Sequence, residues 1–510
     1  AWDRQALFDA LARERVVAGP VFRMDEMADN PQFEGRGFFV ESPEGARFPG
    51  PPARMGRSGW ALSREMGEVG ADRSAFEAAG IGSVAPVRAG QGVLAASGQG
   101  PLGGCRGLVL TQAWAGTYAT ELLALLGAEV IQVEGRTRID SWRGGFRNPV
   151  PKLLRDVPTA RRPWNCSPMY NSVNLNKQAI TLDLSKPEGV ALFKGLVAHV
   201  DFVAENFSPR VMGNLGIDYE SLTRVRPDLV MASLSAYGAT GPWANVPGIG
   251  GTIEPSSGMS SLLGYEGGPP QNSGQMYPDP VAGMYGFGAI ATALLHRDRT
   301  GEGQYIDLSM QEANFTFVGD AWLEYEVTGA VRGPLGNRHP LHAPHGVYRV
   351  AGEDQWIAVS AETDAQWRAC RGVLGITADA WPDETDRKAD ELAVDAAVSA
   401  AAARWDKEEL ERALCDAGVP AAAVRGADEV VGDTLLRERA HLVQVTHPET
   451  GPLWQSGLPA ILSGTPGGVT RPAPCLGEHS FEVFERFLGM RRPEYDALVE
   501  RGITGEGEYP

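Results

Sequence analysis

Asp279 stands in the stretch MYPDPVAGMYG, between Pro278 and Pro280. An aspartate at the start of a helix can serve as the N-cap, with the following proline as the first helical residue. The residue before a proline is also held out of the helical region, which fixes its carboxylate at the mouth of the helix. There the helix dipole and free N–H groups favour the anion. A rigid, ionised, unpaired carboxylate at such a junction is equally suited to act as a nucleophile. The local residues leave both readings open. Two further clusters carry potential chemistry. His339, His342 and His345 recur every three residues in HPLHAPH, a spacing that suggests a metal. Pro340 and Pro344 exclude a helix there, and no carboxylate or cysteine adjoins them in sequence, so a loop that lines a site or packs between domains is the better reading. Arg136, Arg138, Arg143 and Arg147 follow a predicted strand in EGRTRIDSWRGGFR. Arginines beyond the carboxyl end of a parallel strand are well sited for phosphate, whereas the plain alternative is a solvated loop.

The elements that must position these groups alternate. Residues 108–110 read as an apolar strand and 116–126 as a helix closed by Gly127. AEVIQVE is the next strand, which makes a βαβ unit. A second unit follows in AITLDL, SKPEGVALFKGLVAHV and DFVAENF, with Ser185 and Glu188 spaced as a capping box. DLVMASLSAYG is a buried strand. After Asp279 the run PVAGMYGFGAIATALLH is rich in small residues and apolar nearly all round, hence buried and closely approached. YIDLSM closes this region as a strand. The alternation predicts an α/β fold with a Rossmann-like parallel sheet covered on both faces. GxGxxG is absent after the first strand, where the sequence reads TQAWAG, and no GxxxxGK[ST] or GxSxG occurs. NAD or FAD binding in the usual manner, ATP hydrolysis and a serine nucleophile are therefore not expected.

At 510 residues the chain is too long for one ordinary core, and two or more domains are expected. The net charge of −18 argues against a nucleic-acid or anionic-membrane partner. Five scattered cysteines without CxxC spacing fit a reducing, cytoplasmic setting. No apolar run is long enough to span a bilayer, and the N-terminus has no signal pattern.

The chain also resembles itself. WDRQALFDALARERVVAGPVFRMDEMADNP from Trp2 matches WDKEELERALCDAGVPAAAVRGADEVVGDT from Trp405 without a gap. The register aligns Leu7 with Leu410, Val21 with Val424, Asp25 and Glu26 with Asp428 and Glu429, and Arg36 with Arg439. A match across helix, strand and helix in one register points to an internal repeat. Residues 1–94 then read as the small-domain-like tail of an incomplete upstream copy, joined by a Gly-rich linker at 95–105 to a complete copy. The complete copy divides into a large Rossmann-like domain at 106–336 and a smaller α+β domain at 337–455. Residues 456–510 form a return segment and C-terminal tail.

AGTYATELLALLGAEVIQVE, NLNKQAITLDLSKPEG, DFVAENFSPRVMGNLGIDY, ASLSAYGATGPW, PDPVAG and RTGEGQYIDLSMQEA together resemble the class III CoA-transferases, the formyl-CoA transferase and carnitine CoA-transferase family. The likeness runs from about residue 106 to 490. It implies an interlocked dimer, or a pseudo-dimer with the upstream copy, and it implies that Asp279 is the catalytic carboxylate. Arg136, Leu182, Asn206, Phe207 and Arg210 fall where the family contacts coenzyme A. The implied reaction moves coenzyme A from an acyl-CoA donor to a carboxylic acid acceptor, with no metal, NAD or ATP. Backbone N–H groups of a Gly-rich loop, of which residues 333–340 are the candidate, would stabilise oxyanions. The family fold also hosts acyl-CoA racemases, in which a histidine works with the matching aspartate. Here Ile249 stands at that position. Ile249 and Gly250 likewise replace the Tyr-Glu pair of the formyl-CoA transferases. Trp114 replaces a glutamine, which implies a bulkier or more apolar acyl group, or a cationic one held by a cation–π contact. The remaining alternative is a non-catalytic, CoA-binding partner subunit.

Overall fold

The computed structural model describes residues 2–43, 45–62, 67–79, 100–376 and 381–508. The expected linker lies outside the described residues up to residue 99. The chain divides into two compact units. The larger comprises Ala1–Met259, Asn272–Val331 and Arg437–Pro510, and the smaller Ser260–Gln271 and Arg332–Leu436.

The larger unit is built on a seven-stranded sheet. Its strands are β1 (Ala53–Met55), β2 (Arg106–Leu110), β3 (Glu129–Glu134), β4 (Gln178–Thr181), β5 (Phe202–Glu205), β6 (Val230–Ser235) and β7 (Tyr305–Ser309). The spatial order is β1-β7-β6-β5-β2-β3-β4. Strands β2 to β7 run parallel, as the alternating pattern predicts, and their buried runs match a sheet covered on both faces. One face carries a core that includes Val109, Ala119, Ile290 and Ala293. The other packs Leu108, Ile131, Phe193 and Phe484. The chain starts in the middle, runs outward to β4, then returns to β5 on the far side of β2. The crevice beyond the carboxyl ends of β2 and β5 is therefore the switch point, where α/β sheets bind ligands.

The N-terminal segment adds an element that the sequence does not announce. Strand β1 pairs antiparallel with β7, Arg54 opposite Asp307, and closes the edge of the large sheet. The segment's helices α1 (Arg4–Arg13), α2 (Met24–Met27) and α3 (Pro31–Arg36) have counterparts at Lys407–Asp416, Ala427–Gly432 and Thr434–Glu438. Each counterpart begins 403 residues later, the offset of Trp405 from Trp2. Both first helices are capped by the side chain of the preceding aspartate, Asp3 or Asp406.

The smaller unit has a three-stranded antiparallel sheet, His345–Arg349, Trp356–Ser360 and Ala421–Ala423, and a core around Trp367, Val398 and Leu410. Its stacked His339 and His342 rings lie 4.5 Å apart, and His342 pairs with Glu384. Among the described residues, no group of three or more His, Cys, Asp or Glu is placed to hold a metal ion. None of the described helices is long and apolar enough to cross a membrane.

Two local expectations are corrected. The capping box at Ser185 does not form: its hydroxyl and amide both bond Asp183, and the helix begins at Pro187. Asp279 does not cap its own helix, which starts one residue earlier, at Pro278. With proline at the first helical position no N–H is lost, so the turn closes through the Asp279 amide onto the Met276 carbonyl at 2.9 Å. The carboxylate is left free for partners outside the helix.

Candidate active site

Those partners come from two other helix starts. The backbone N–H groups of Ala115 and Gly250 lie close enough to the Asp279 carboxylate to favour its anion. Ala115 is the first residue of α4 (Ala115–Leu125) and Gly250 the first of α5 (Gly250–Ser256); Asp279 lies in the first turn of α6 (Pro278–Thr300). Three helix N-termini thus meet at one carboxylate and place it at three positive dipole ends, with the first amides of α4 and α5 nearest to it. Burial is the dominant influence and lifts the Asp279 carboxyl to about 6, while the two amides pull the other way. Burial and donors together describe a half-buried carboxylate, partly desolvated and flanked by two amides.

The sequence builds this junction with small residues. A Cβ on Gly250 would stand 2.1 Å from Asp279 Oδ2. A Cβ on Gly283 would stand 3.0 Å from the Ala115 carbonyl, and one on Gly286 2.6 Å from Leu234. Glycine at these places lets α4 and α6 come together. The turn that delivers the Ala115 amide is clamped from both sides of the switch point. Asn206 accepts from the Gln112 N–H at 2.7 Å and donates to its carbonyl at 2.8 Å. Asp140 accepts from the Ala113 N–H through both oxygens, at 3.0 and 3.1 Å. Ala113 is held there at φ +56°, a left-handed conformation that costs about 1–3 kcal/mol for a non-glycine residue.

The positions expected to contact coenzyme A all follow strand ends on this same edge. Trp114 comes after β2, Arg136 after β3, Leu182 after β4, and Asn206, Phe207 and Arg210 after β5. Their states differ. Arg136 is buried and donates to the carbonyls of Thr504, Gly507 and Glu508 at 2.7–3.0 Å. The Leu182 side chain lies in the core, and its amide donates to the Glu134 carbonyl. Phe207 is half-buried and Arg210 exposed. Of the four clustered arginines, Arg143 is wholly buried in a bidentate pair with Glu134, its guanidinium 3.5 Å above the Tyr170 ring centre. Arg138 and Arg147 are exposed. The Gly-rich stretch 333–340 belongs to the smaller unit, and the amides found near Asp279 are those of Ala115 and Gly250.

A cavity of about 670 Å³ opens beside the junction, bounded by Trp114, Tyr118, Trp142, Met169, Met276 and Pro280 among others. The Trp114 and Trp142 rings lie 5.5 Å apart, tilted by 44°. Among the described residues no lysine or arginine lines it, and Glu121, His441 and Tyr118 are its titratable groups. Burial pushes the Glu121 carboxyl up to about 8 and the neighbouring Lys177 ammonium down to about 7, so both tend to neutrality. Sequence reasoning missed Gly250, Ala115, Trp142 and His441 as participants. PGIGG offered a signal for Gly250, since adjacent glycines mark a close backbone approach.

Comparison with known proteins gives this junction its context. The family model for CoA-transferase family III matches residues 102–480. The chain belongs to CoA-transferase family III. It is therefore an enzyme of coenzyme A transfer, with an acyl-CoA thioester as substrate. A succinate–glutarate CoA-transferase of Agrobacterium fabrum is 32% identical over 399 residues, 77% of this chain and 97% of that protein. A Mycobacterium tuberculosis protein named a probable CoA-transferase is 30% identical over 79% of this chain but only 50% of its own length. The crystal structure of a CAIB/BAIF family protein from Brucella suis superposes with a TM-score of 0.67 at 27% identity, covering 76% of this chain and all of that one.

Proposed function

We propose that this family III enzyme transfers coenzyme A to a carboxylic acid through covalent intermediates on Asp279. The observation that carries the reading is the Asp279 carboxylate at three converging helix starts, close against Gly250 and favoured as anion by the Ala115 and Gly250 amides. The carboxylate attacks the thioester carbonyl of the donor. The C–S bond breaks, a mixed anhydride forms and coenzyme A leaves as thiolate. The thiolate then attacks the aspartyl carbonyl, and the donor acid departs as carboxylate. The acceptor carboxylate displaces the thiolate from the resulting aspartyl thioester, and the thiolate finally takes the new acyl group and frees Asp279. No proton, metal or nucleotide is consumed, because thioester and carboxylate are exchanged for their like. The two amides beside the ground-state carboxylate lie where the oxyanion on the aspartyl carbon develops. In the same reading, Arg210, Asn206 and Phe207 along the strand edge hold the nucleotide end of coenzyme A, together with Arg136 and the backbone at Leu182.

The cavity bordered by Trp114 and Trp142 is the acyl site, and it supports a bulky, uncharged acyl group. A second carboxylate there would meet no lysine or arginine among the described lining residues and would lie unpaired beside a buried carboxyl group. A cationic group would face a Glu121 that burial keeps neutral. The substrates therefore differ from those in the name of the Agrobacterium relative. The N-terminal segment fits a second copy of the same kind, with which this chain forms a pseudo-dimer. Incubation with acyl-CoA followed by hydroxylamine tests the function: Asp279 becomes the hydroxamate, and Asp279→Ala abolishes exchange. A second reading, exchange of the α-proton, has one observation behind it, since His441 lines the cavity. Deuterium uptake into acyl-CoA without an acceptor acid would favour it.

A further inference from the structure

The N-terminal segment touches the catalytic junction from behind. A Cβ on Gly19 would stand 1.9 Å from the Thr252 carbonyl oxygen, so the segment lies in backbone contact with α5, the helix whose first amide lies beside Asp279. The Phe22 amide donates to the Pro255 carbonyl at 3.2 Å, within the same helix. Met24 and Met27 are fully buried, and a Cβ on Gly258, just past the end of α5, would stand 2.8 Å from the Met24 methyl.

The loop leading into α5 is gripped as well. The Gln32 side chain donates to the carbonyls of Tyr237 and Thr240 and accepts from the Trp243 N–H at 2.7 Å. Arg36 anchors the whole arrangement. It is buried, bonds Thr240, and pairs with Asp307 at 2.7 Å and with Glu312 at 2.6 Å. Gly238 and Gly241 both have positive φ and lie so close that a Cβ would strike Arg36 and Gln32, at 2.2 and 2.6 Å. Two glycines, a glutamine and an arginine at mutually exclusive spacing are the signature of a fitted contact. The counterparts in the second half of the repeat make no such fit: Leu435 and Arg439, in register with Gln32 and Arg36, are exposed.

We infer that residues 2–55, a fragment built like the tail of another copy, act as a positioning element for this copy's nucleophile by setting the place of α5 and its Gly250 amide. Donor geometry at a reacting carbonyl is sensitive to displacements of about 1 Å, which cost as much as a hundredfold in rate. The contacts described fall on α5, the 237–243 loop, Asp307 and Glu312, none of them assigned to coenzyme A, so the segment's influence falls on the covalent step and spares binding. This inference rests on the reading of Asp279 as nucleophile.

The test uses the full chain with Gly19→Ala, whose single methyl pushes on the Thr252 carbonyl, and Gln32→Ala as a second variant that releases the 237–243 loop without adding bulk. Arg73→Ala, at an exposed pair with Glu77 outside the segment, is the control. We expect kcat to fall by about tenfold or more in both variants, with KM for acyl-CoA within about twofold of the parent and faster amide exchange at residues 248–258. Unchanged kcat in a folded Gly19→Ala or Gln32→Ala protein overturns the inference, as does a loss confined to KM. Hydroxylamine labelling of the parent separates the two readings. Without a label on Asp279 the catalytic assignment itself fails; with the label and an unaffected kcat in the variants, only the positioning role does.

Discussion

Gly250 lies tight against the carboxylate of Asp279, with no room between them for a side chain. A methyl on Gly250 would stand 2.1 Å from Asp279 Oδ2. Gly250→Ala therefore displaces either the carboxylate or the donor. Loss of one preorganised donor costs about 10² to 10³ in kcat, and we expect a loss of that order with unchanged circular dichroism. An alanine variant with parental kcat would separate this amide from the chemistry.

The acid limb of the pH profile follows from burial. Desolvation raises the Asp279 carboxyl to about 6, and in the proposed mechanism the ionised form is the nucleophile. The rate constant kcat/KM is expected to rise with pH through about 6. A midpoint near 4, the ordinary carboxylate value, would show a solvated group. The sign for stability is opposite. A folded-state value above the unfolded one means that the protonated carboxyl favours the fold below pH 4, and that this contribution is gone once the pH passes about 6. Asp279→Asn is expected to raise the melting temperature at pH 7.5 and to leave it unchanged at pH 4.

How much of this was legible depended on the range of the interaction. The parallel sheet declared itself through alternating apolar runs and helical periods, because those patterns are local. The proposed nucleophile position is visible only through surrounding motifs: the Pro-Asp-Pro stretch alone leaves a cap and a nucleophile both open, and in the structure the helix starts at Pro278, so that Asp279 does not cap it. Arg143 looked like its neighbours Arg138 and Arg147, yet it is sealed against Glu134. No local signal distinguishes them, since the pairing depends on Tyr170 and Asn165 folding over it from a later loop. The contact between Gly19 and Thr252 joins residues more than two hundred positions apart and has no sequence signature at all.

Arg143 accordingly gives a stability prediction. Its side chain and that of Glu134 are both fully buried, so Arg143→Met leaves a carboxylate without its counter-charge. A destabilisation of about 3–5 kcal/mol in urea unfolding is expected. Arg138→Ala and Arg147→Ala, at exposed positions, are expected to change the unfolding midpoint little. Equal effects from all three would mean that the buried pair contributes nothing particular.

The acyl cavity predicts a substrate order. With Trp114 and Trp142 at its wall and no lysine or arginine among its described lining residues, it is expected to favour a bulky uncharged acyl-CoA over succinyl-CoA by about tenfold or more in kcat/KM, since an unpaired buried charge is costly. Trp142→Ala should relax that preference. Faster turnover of succinyl-CoA than of any uncharged acyl-CoA in a mixed panel would contradict the assignment.

The account turns on one bond, between the Asp279 carboxyl carbon and coenzyme A or an acyl group. Mass spectrometry of peptides from enzyme quenched during turnover, after hydroxylamine or borohydride treatment, reads it directly. The account predicts a modified residue 279 that appears only with acyl-CoA, with Asp279→Ala unlabelled and inactive in exchange. An unmodified Asp279 during turnover, or normal exchange by Asp279→Ala, would contradict it.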